Sequence, residues 1–371
     1  MDLVATMLVG ELNTRHQGSF VASLLRPRFV RRFSGAGVGG EKKPLFNADR
    51  LLNRFIDYPR FVRARRSEFD LFHIVDHSYS HLATAAGPER CLVTCHDLDT
   101  FRCIVEPQRG ARSIPYTAMV RRILRGFRSA EAIACVSGAT RDQVLRYCIA
   151  PAERLTVNPN GVADVFTTRP DPYAEAEVRR LLGPPDREKV EITHVGSTIP
   201  RKRIDVLIRV AAALRRVMPS VRIIRVGGAF RPSQRKLIND LALPGDAVGV
   251  LPFVSPEMLA AVYRRAVITL LPSESEGFGL PVLESLACGT PVVLSDIPAL
   301  QEIGGPSATF CPVADVERWT EAILGLIEER RTKPQTWAER AAVGAQWASR
   351  FTWKDYADRA VQLYKVVAPS H

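Results

Sequence analysis

Two carboxylates, Glu276 and Glu284, lie eight residues apart in Ser273-Glu274-Ser275-Glu276-Gly277-Phe278-Gly279-Leu280-Pro281-Val282-Leu283-Glu284. Carboxylates accept hydrogen bonds from hydroxyls. Between them, Gly277 and Gly279 let a ligand approach the backbone closely. Amides around residues 278 to 280, at the positive end of a helix, favour an anion such as a diphosphate. Hydroxyl-bearing rings on both sides of a diphosphate fit this layout, which makes a sugar nucleotide the expected ligand. The flanks supply the elements that must hold it. Ala266 to Leu271 is a short apolar run that ends at Pro272 and reads as a buried strand. Pro281 suits the first helical turn, Val282, Leu283, Leu286 and Ala287 give an apolar face, and Gly289 stands where the helix ends. Pro291 to Leu294 begins another strand. The unit is a right-handed parallel crossover, whose ligands sit beyond the strand tips.

With these residues the chain resembles the retaining glycosyltransferases of family 4, which have the GT-B fold. That fold is α/β, with two doubly wound Rossmann-like domains facing across a cleft and a C-terminal helix crossing back to the first domain. The resemblance implies that Glu276 contacts the donor sugar, that the amides matching Phe278, Gly279 and Leu280 contact sugar and phosphate, and that Glu284 binds the ribose; Gly277, which lets the backbone approach closely, joins the expected donor-binding residues. A second element, Glu191 to Ile208, reads as a strand, a turn at Gly196, a basic loop and a helix. Lys202, six residues after that glycine, falls where the family places a diphosphate-binding lysine. Ser197 departs from the pattern, because many members carry an arginine there; Arg201 stands either in its place or at a solvated helix start. Val221 to Gly228 looks like the next strand with its terminal glycines. Leu251 to Ser255 and the following helix resemble the segment that borders the nucleobase, which adds Phe253 and Val254. Asn158-Pro159-Asn160-Gly161-Val162 resembles the hinge. Residues 1 to 165 are therefore expected to form the acceptor-side domain, 166 to 350 the donor domain, and 351 to 371 the returning helix.

The first half is read from fewer signals. Leu71 to Val75, Leu92 to Thr94 and Ala132 to Val136 are expected strands, and Leu3 to Gly10 is expected as the first strand of the domain. Glu11 to Gly18 would then be the counterpart of the family's glycine loop, with Gly18 its one match. Val93-Thr94-Cys95-His96-Asp97 is a strand that ends in a His-Asp pair. The resemblance implies that His96 touches the donor sugar or the reacting centre, with Asp97 beside it. A second polar cluster, from Phe72 to His81, places Asp76, His77 and Tyr79 either in acceptor or sugar contacts or in capping and buried bonding. Gly35-Ala36-Gly37-Val38-Gly39-Gly40 satisfies G-x-G-x-x-G, but it follows no strand and opens no helix, so it reads as a loop.

Composition bounds the function classes. At 371 residues two domains are favoured over one. No run approaches the roughly 18 to 20 apolar residues of a membrane span, and no signal peptide is evident. Seven cysteines without paired C-x-x-C spacing suggest reduced thiols and a cytoplasmic protein. Cys91, Cys95 and His96 make a poor zinc site, and Asp97-Leu98-Asp99 has only the bare spacing of a metal motif, so no metal and no cofactor are expected. The net charge of +12 is concentrated in residues 1 to 165, with 24 Lys and Arg against 16 Asp and Glu. Tyr116, Met119, Val120, Ile123, Leu124 and Phe127 fall on one helical stripe opposite Arg121, Arg122, Arg125 and Arg128. Such a helix either lies on anionic lipid at the inner face of a membrane or packs its stripe into the core. Nucleic acid is not expected, because no recognition motif accompanies the arginines. The reading is a retaining, metal-independent transfer of a sugar from a nucleotide-diphosphate donor to a hydroxyl of a glycan or lipid-linked acceptor. His96, Glu276 and Lys202 are its expected catalytic residues, serving polysaccharide, O-antigen or glycolipid assembly. A GT-B sugar-nucleotide epimerase, or a binding protein without turnover, would use the same donor residues.

Overall fold

The computed structural model describes residues 2–34, 44–110, 112–186 and 188–368. The chain divides into two units, Met1–Pro159 with Trp353–His371, and Asn160–Thr352. The crossing lies a few residues before position 165. On one side of it the Asn158 side chain donates to the Tyr356 carbonyl at 3.2 Å. On the other the Val162 amide donates to the Phe351 carbonyl at 2.9 Å. Each backbone passage is thus tied within its own unit.

In the first unit, β1 (Phe72–Ile74), β2 (Cys91–Cys95), β3 (Ala132–Cys135) and β4 (Leu155–Val157) form a parallel sheet in the order β1-β2-β3-β4. Successive side chains on a strand face opposite ways. Cys91, Val93 and Cys95 accordingly pack with Val120, Ile123 and Phe127 of helix Ile114–Ser129, while Leu92 packs with Val4, Leu8 and Tyr364. The stripe on helix Ile114–Ser129 is therefore core from Val120 through Ile123 and Leu124 to Phe127, while Tyr116, Arg121, Arg122, Arg125 and Arg128 are exposed.

Leu3 to Gly10 is not a strand. It lies in helix Asp2–Arg15, which packs Val4, Leu8 and Leu12 against helix Trp353–Val367. The apolar spacing of four continues past Gly10 to Leu12, and the leucine, methionine and alanine content favours helix over the two valines. These two helices cover the sheet face that helix Ile114–Ser129 leaves open.

The second unit holds β5 (Val190–Val195), β6 (Val221–Val226), β7 (Val248–Leu251), β8 (Ile268–Leu271), β9 (Val292–Ser295) and β10 (Thr309–Cys311), all parallel, in the order β10-β9-β8-β5-β6-β7. The winding reverses between β5 and β8, which pair through Ile192–Ile268 and Thr193–Thr269. Ile223 packs with helix Ile204–Val217 and Ile224 with helix Pro256–Arg265, so the near-continuous apolar strands are buried on both faces. A reversal of this kind opens a crevice at the carboxyl ends of the two strands.

Candidate functional site

The loops after β5 and β8 meet at that reversal. After β5 the chain turns at Gly196, makes the short turn Pro200–Lys202, and enters helix Ile204–Val217 through Arg203, which holds a left-handed φ of 47°. After β8, the Glu274 amide donates to the Arg201 carbonyl at 2.9 Å, and Arg201 Nη1 donates to the Ser275 carbonyl at 2.8 Å. This stitching buries Glu276. Its Oε1 lies 2.5 Å from Lys202 Nζ and its Oε2 3.0 Å from Arg201 Nη1. Burial by itself would push the Glu276 carboxyl up, but the charges of Lys202 and Arg201 outweigh it and hold the group below the usual carboxylate range. Three residues predicted from two separate motifs thus form one buried ion cluster with a surplus of positive charge.

Gly279, at φ 103°, is the residue before helix Leu280–Ala287; a Cβ there would stand 2.9 Å from Leu300 Cδ2. The Val282 amide turns back to the Gly279 carbonyl at 2.9 Å. Amides of a first helical turn have no acceptor within the helix, which is the basis of anion binding there. Phe278 contributes backbone only, since its ring is buried against Phe351 with centroids 6.2 Å apart. Glu284 sits one turn into the helix, buried, and accepts from the Tyr263 hydroxyl at 2.9 Å. Desolvation raises its carboxyl to about 7, against the opposing Tyr263 bond, and burial likewise raises the Tyr263 phenol.

Sequence reasoning missed Arg225 and Tyr263. Arg225 is fully buried, and its guanidinium donates to the Gly196 carbonyl at 2.7 Å and to the Gly228 carbonyl. Gly227, at φ 140°, passes so close that a Cβ would lie 2.2 Å from the Gly196 carbonyl oxygen. Arg225 therefore fixes the two glycine turns against each other. The signal was present as an arginine inside the apolar strand Val221-Arg222-Ile223-Ile224-Arg225-Val226. Burial, Arg225 and Lys202 lower the neighbouring His194 to about 3, which keeps its ring neutral. Ser197 follows Gly196 in the turn and is half-buried. Phe253 is 77% exposed beyond β7, whereas Val254 packs beside Leu251 and Met258.

The first unit gathers a second polar group at the ends of β1 and β2. His96 Nε2 donates to the Val75 carbonyl at 2.7 Å, which leaves Nδ1 as the acceptor of the neutral ring. Burial lowers His96 to about 4. His77 is buried, with Nε2 3.1 Å from Thr100 Oγ1 and 3.7 Å from Asp97 Oδ1, and its Nδ1 faces the His96 amide at 3.4 Å. Asp97 also accepts from the Asp99 amide, and Asp76 from the Ser78 amide. Tyr79 lies under the Arg54 guanidinium, 4.4 Å from its ring centroid. Asp76 thus caps the turn at Ser78, and His77 is held by buried bonds. Gly18 follows a helix and not a strand, and a Cβ there would meet nothing within 4 Å, so no close approach requires glycine. The Gly35 to Gly40 motif lies outside the described residues.

Two family models match the chain, Glycosyltransferase Family 4 over residues 3–166 and Glycosyl transferases group 1 over residues 179–343. The chain belongs to glycosyltransferase family 4. Its fold is GT-B. Among relatives, a D-inositol 3-phosphate glycosyltransferase of Rhodococcus opacus is 33% identical over 240 residues, 62% of this chain and 52% of that protein. The chain spans about half the length of the first such relatives it matches. An O-antigen chain mannosyltransferase B of Escherichia coli is 27% identical over 326 residues, 84% of this chain and 80% of that protein. Among solved structures, Anabaena HepE in complex with UDP and glucose superposes with a TM-score of 0.69 at 18% identity, covering 85% of this chain and 82% of that one. Sucrose-phosphate synthase from Thermosynechococcus elongatus gives 0.66 at 24% identity, covering 84% and 78%. For this family 4 chain, these likenesses extend over both units.

Proposed function

We propose that the protein transfers a hexosyl group, with retention, from a nucleotide-diphosphate sugar to a hydroxyl of a glycan or lipid-linked acceptor. The observation that carries this reading is the meeting of Lys202, Arg201 and Glu276 where the second sheet reverses, next to the Gly279 helix start. Lys202, Arg201 and the first-turn amides receive the diphosphate, Arg201 taking the place of the arginine that Ser197 lacks. Glu276 accepts from donor-sugar hydroxyls and Glu284 from the ribose. Exposed Phe253 is free to border the base. His96, through Nδ1, accepts from a substrate hydroxyl.

In the transfer, the bond from the anomeric carbon to the diphosphate oxygen breaks as the acceptor oxygen attacks the same face. The acceptor proton passes to the departing phosphate oxygen. No enzymic nucleophile is assigned, and positioned cations and amides carry the developing charge, with no metal ion in the scheme. The name of the O-antigen relative supports a glycan acceptor. Among the described residues no helix is long and apolar enough to cross a membrane. The exposed arginines of helix Ile114–Ser129 suit contact with an anionic inner membrane face, where a lipid-linked acceptor would be met.

A panel of nucleotide sugars, scored for thermal stabilisation and for slow hydrolysis, tests the reading. One nucleotide sugar should do both. Stabilisation by none of them would overturn the donor assignment, and interconversion of donor isomers without acceptor would replace transfer by epimerisation.

A further inference from the structure

The helix that begins at Pro44–Leu52 continues into Tyr58–Ala64 through a π-helical turn, Asn53–Asp57. Such turns are rare and recur at functional sites. This one is pinned from behind. The Asn53 side chain accepts from the Val30 amide and donates to the Val30 and Asp49 carbonyls, each at 2.7 Å. The turn projects Arg54 over Tyr79, with its other ring contact to Phe55 at 5.7 Å. One Arg54 nitrogen donates to the Ser78 carbonyl, while Nε is buried without an acceptor. Among the described residues no carboxylate lies within ion-pair distance of this guanidinium. Asp76 is near enough to be felt, but its carboxylate caps Ser78. Arg122 lies 5.2 Å from the centroid of the same Phe55 ring, and the charge of Arg50 also bears on Arg54.

A guanidinium taken largely out of water, with cations as neighbours and no anion of its own, is costly unless a ligand supplies the anion. Burial indeed depresses the Arg54 pKa. Arg54 covers the Tyr79 ring, the Tyr58 ring stands 6.4 Å from that ring, and Asp76, which caps Ser78, is near enough for its charge to bear on Arg54. We infer that Arg54, supported by Arg122 and flanked by Tyr58, Tyr79 and Asp76, is an oxyanion site for the phosphate of a phosphorylated sugar or polyol. Arginine's planar fork suits phosphate, and the tyrosines and Asp76 suit the adjacent hydroxyls. The site belongs to the first unit and is independent of the donor reading, which uses residues of the second.

Calorimetric titration of the full chain tests it, with inorganic phosphate, glycerol 3-phosphate and glucose 6-phosphate as soluble probes, glucose as the neutral control, and phosphatidylglycerol against phosphatidylcholine vesicles as the lipid source. The phosphate monoesters should bind and glucose should not. Arg54→Gln should weaken the best phosphate probe at least about tenfold and Arg122→Gln severalfold. Should Arg54→Gln fail to fold, Arg54→Lys, which keeps the charge but loses the fork, is expected to lose at least about threefold. Binding only to phosphatidylglycerol vesicles, abolished in the Arg54 variants, would assign the phosphate to a lipid headgroup. Absence of binding to every phosphate probe, or full affinity in the Arg54 variants, would overturn the inference. UDP and GDP run in parallel separate the two readings, because loss of nucleotide binding in the wild type strikes only the donor assignment.

Discussion

Glu276 and Lys202 are joined by a 2.5 Å contact between Oε1 and Nζ, while the other Glu276 oxygen holds Arg201 at 3.0 Å. The two cations proposed for the diphosphate are gathered by the carboxylate proposed for the sugar. Arrival of a diphosphate would then add anion to a cluster with one positive charge in excess, so the cations need little reorganisation.

Lys202→Met should lower kcat/KM by about 100-fold or more, because a charge-assisted contact to the leaving group is lost. Arg201→Lys should cost about tenfold, chiefly through donor affinity, since lysine keeps the charge but loses the fork that also binds the Ser275 carbonyl. Steady-state kinetics with the donor found in the panel distinguishes them. An Arg201→Lys enzyme with unchanged donor KM would remove Arg201 from the diphosphate.

Glu284 gives a pH signature. Its carboxyl is raised from 4.5 to about 7 by burial. Between those values the folded chain keeps a proton that the unfolded chain has lost, so this group makes stability fall as pH rises through that window and level off above it. The size is roughly 1–3 kcal/mol. Glu284→Gln should therefore raise Tm at pH 8 while leaving it nearly unchanged at pH 4, and should weaken donor binding. In the wild type, donor KM should rise as pH falls below 7. A Glu284→Gln protein with full donor affinity would end the ribose assignment.

Full transfer activity is expected after exhaustive treatment with EDTA, because Lys202, Arg201 and helix amides are assigned the leaving group's charge. Restoration of a lost activity by Mg²⁺ or Mn²⁺ would show that the scheme lacks a metal.

Asp49 is buried and accepts from the amides of Arg32, Phe33 and Ser34 and from the Ser34 hydroxyl. Burial alone would raise its carboxyl, but these bonds outweigh it and lower the group to about 2. The lowered value means stability that is present above the unfolded value of 3.8 and lost as pH falls through about 2. Asp49→Ala should lower Tm at neutral pH and speed proteolysis near residues 29–34, as peptide mapping would show. Equal cleavage in both proteins would contradict the anchoring role.

The sequence by itself determined the elements of the second unit. Short apolar strands, a proline at the helix start and glycines at the turns are local signals, and each of β5, β6 and β8 formed where they pointed, with Glu276, Glu284 and Lys202 on the loops and helix that follow. It also determined the alternation that buries both faces of the strands. Tertiary structure alone decided the rest. The helix over Leu3 to Gly10 follows the local spacing Val4, Leu8, Leu12, but the helix that takes up those residues lies more than three hundred residues away. The stripe of helix Ile114–Ser129 suited core or membrane by its pattern alone, and the sheet took up Val120, Ile123, Leu124 and Phe127. Arg225, an odd residue in an apolar strand, acquired a purpose only when Gly196 and Gly228 presented their carbonyls. Periodicity and turn chemistry are properties of neighbouring residues, whereas charge pairing, burial and the partners of a helix face depend on which distant segments meet.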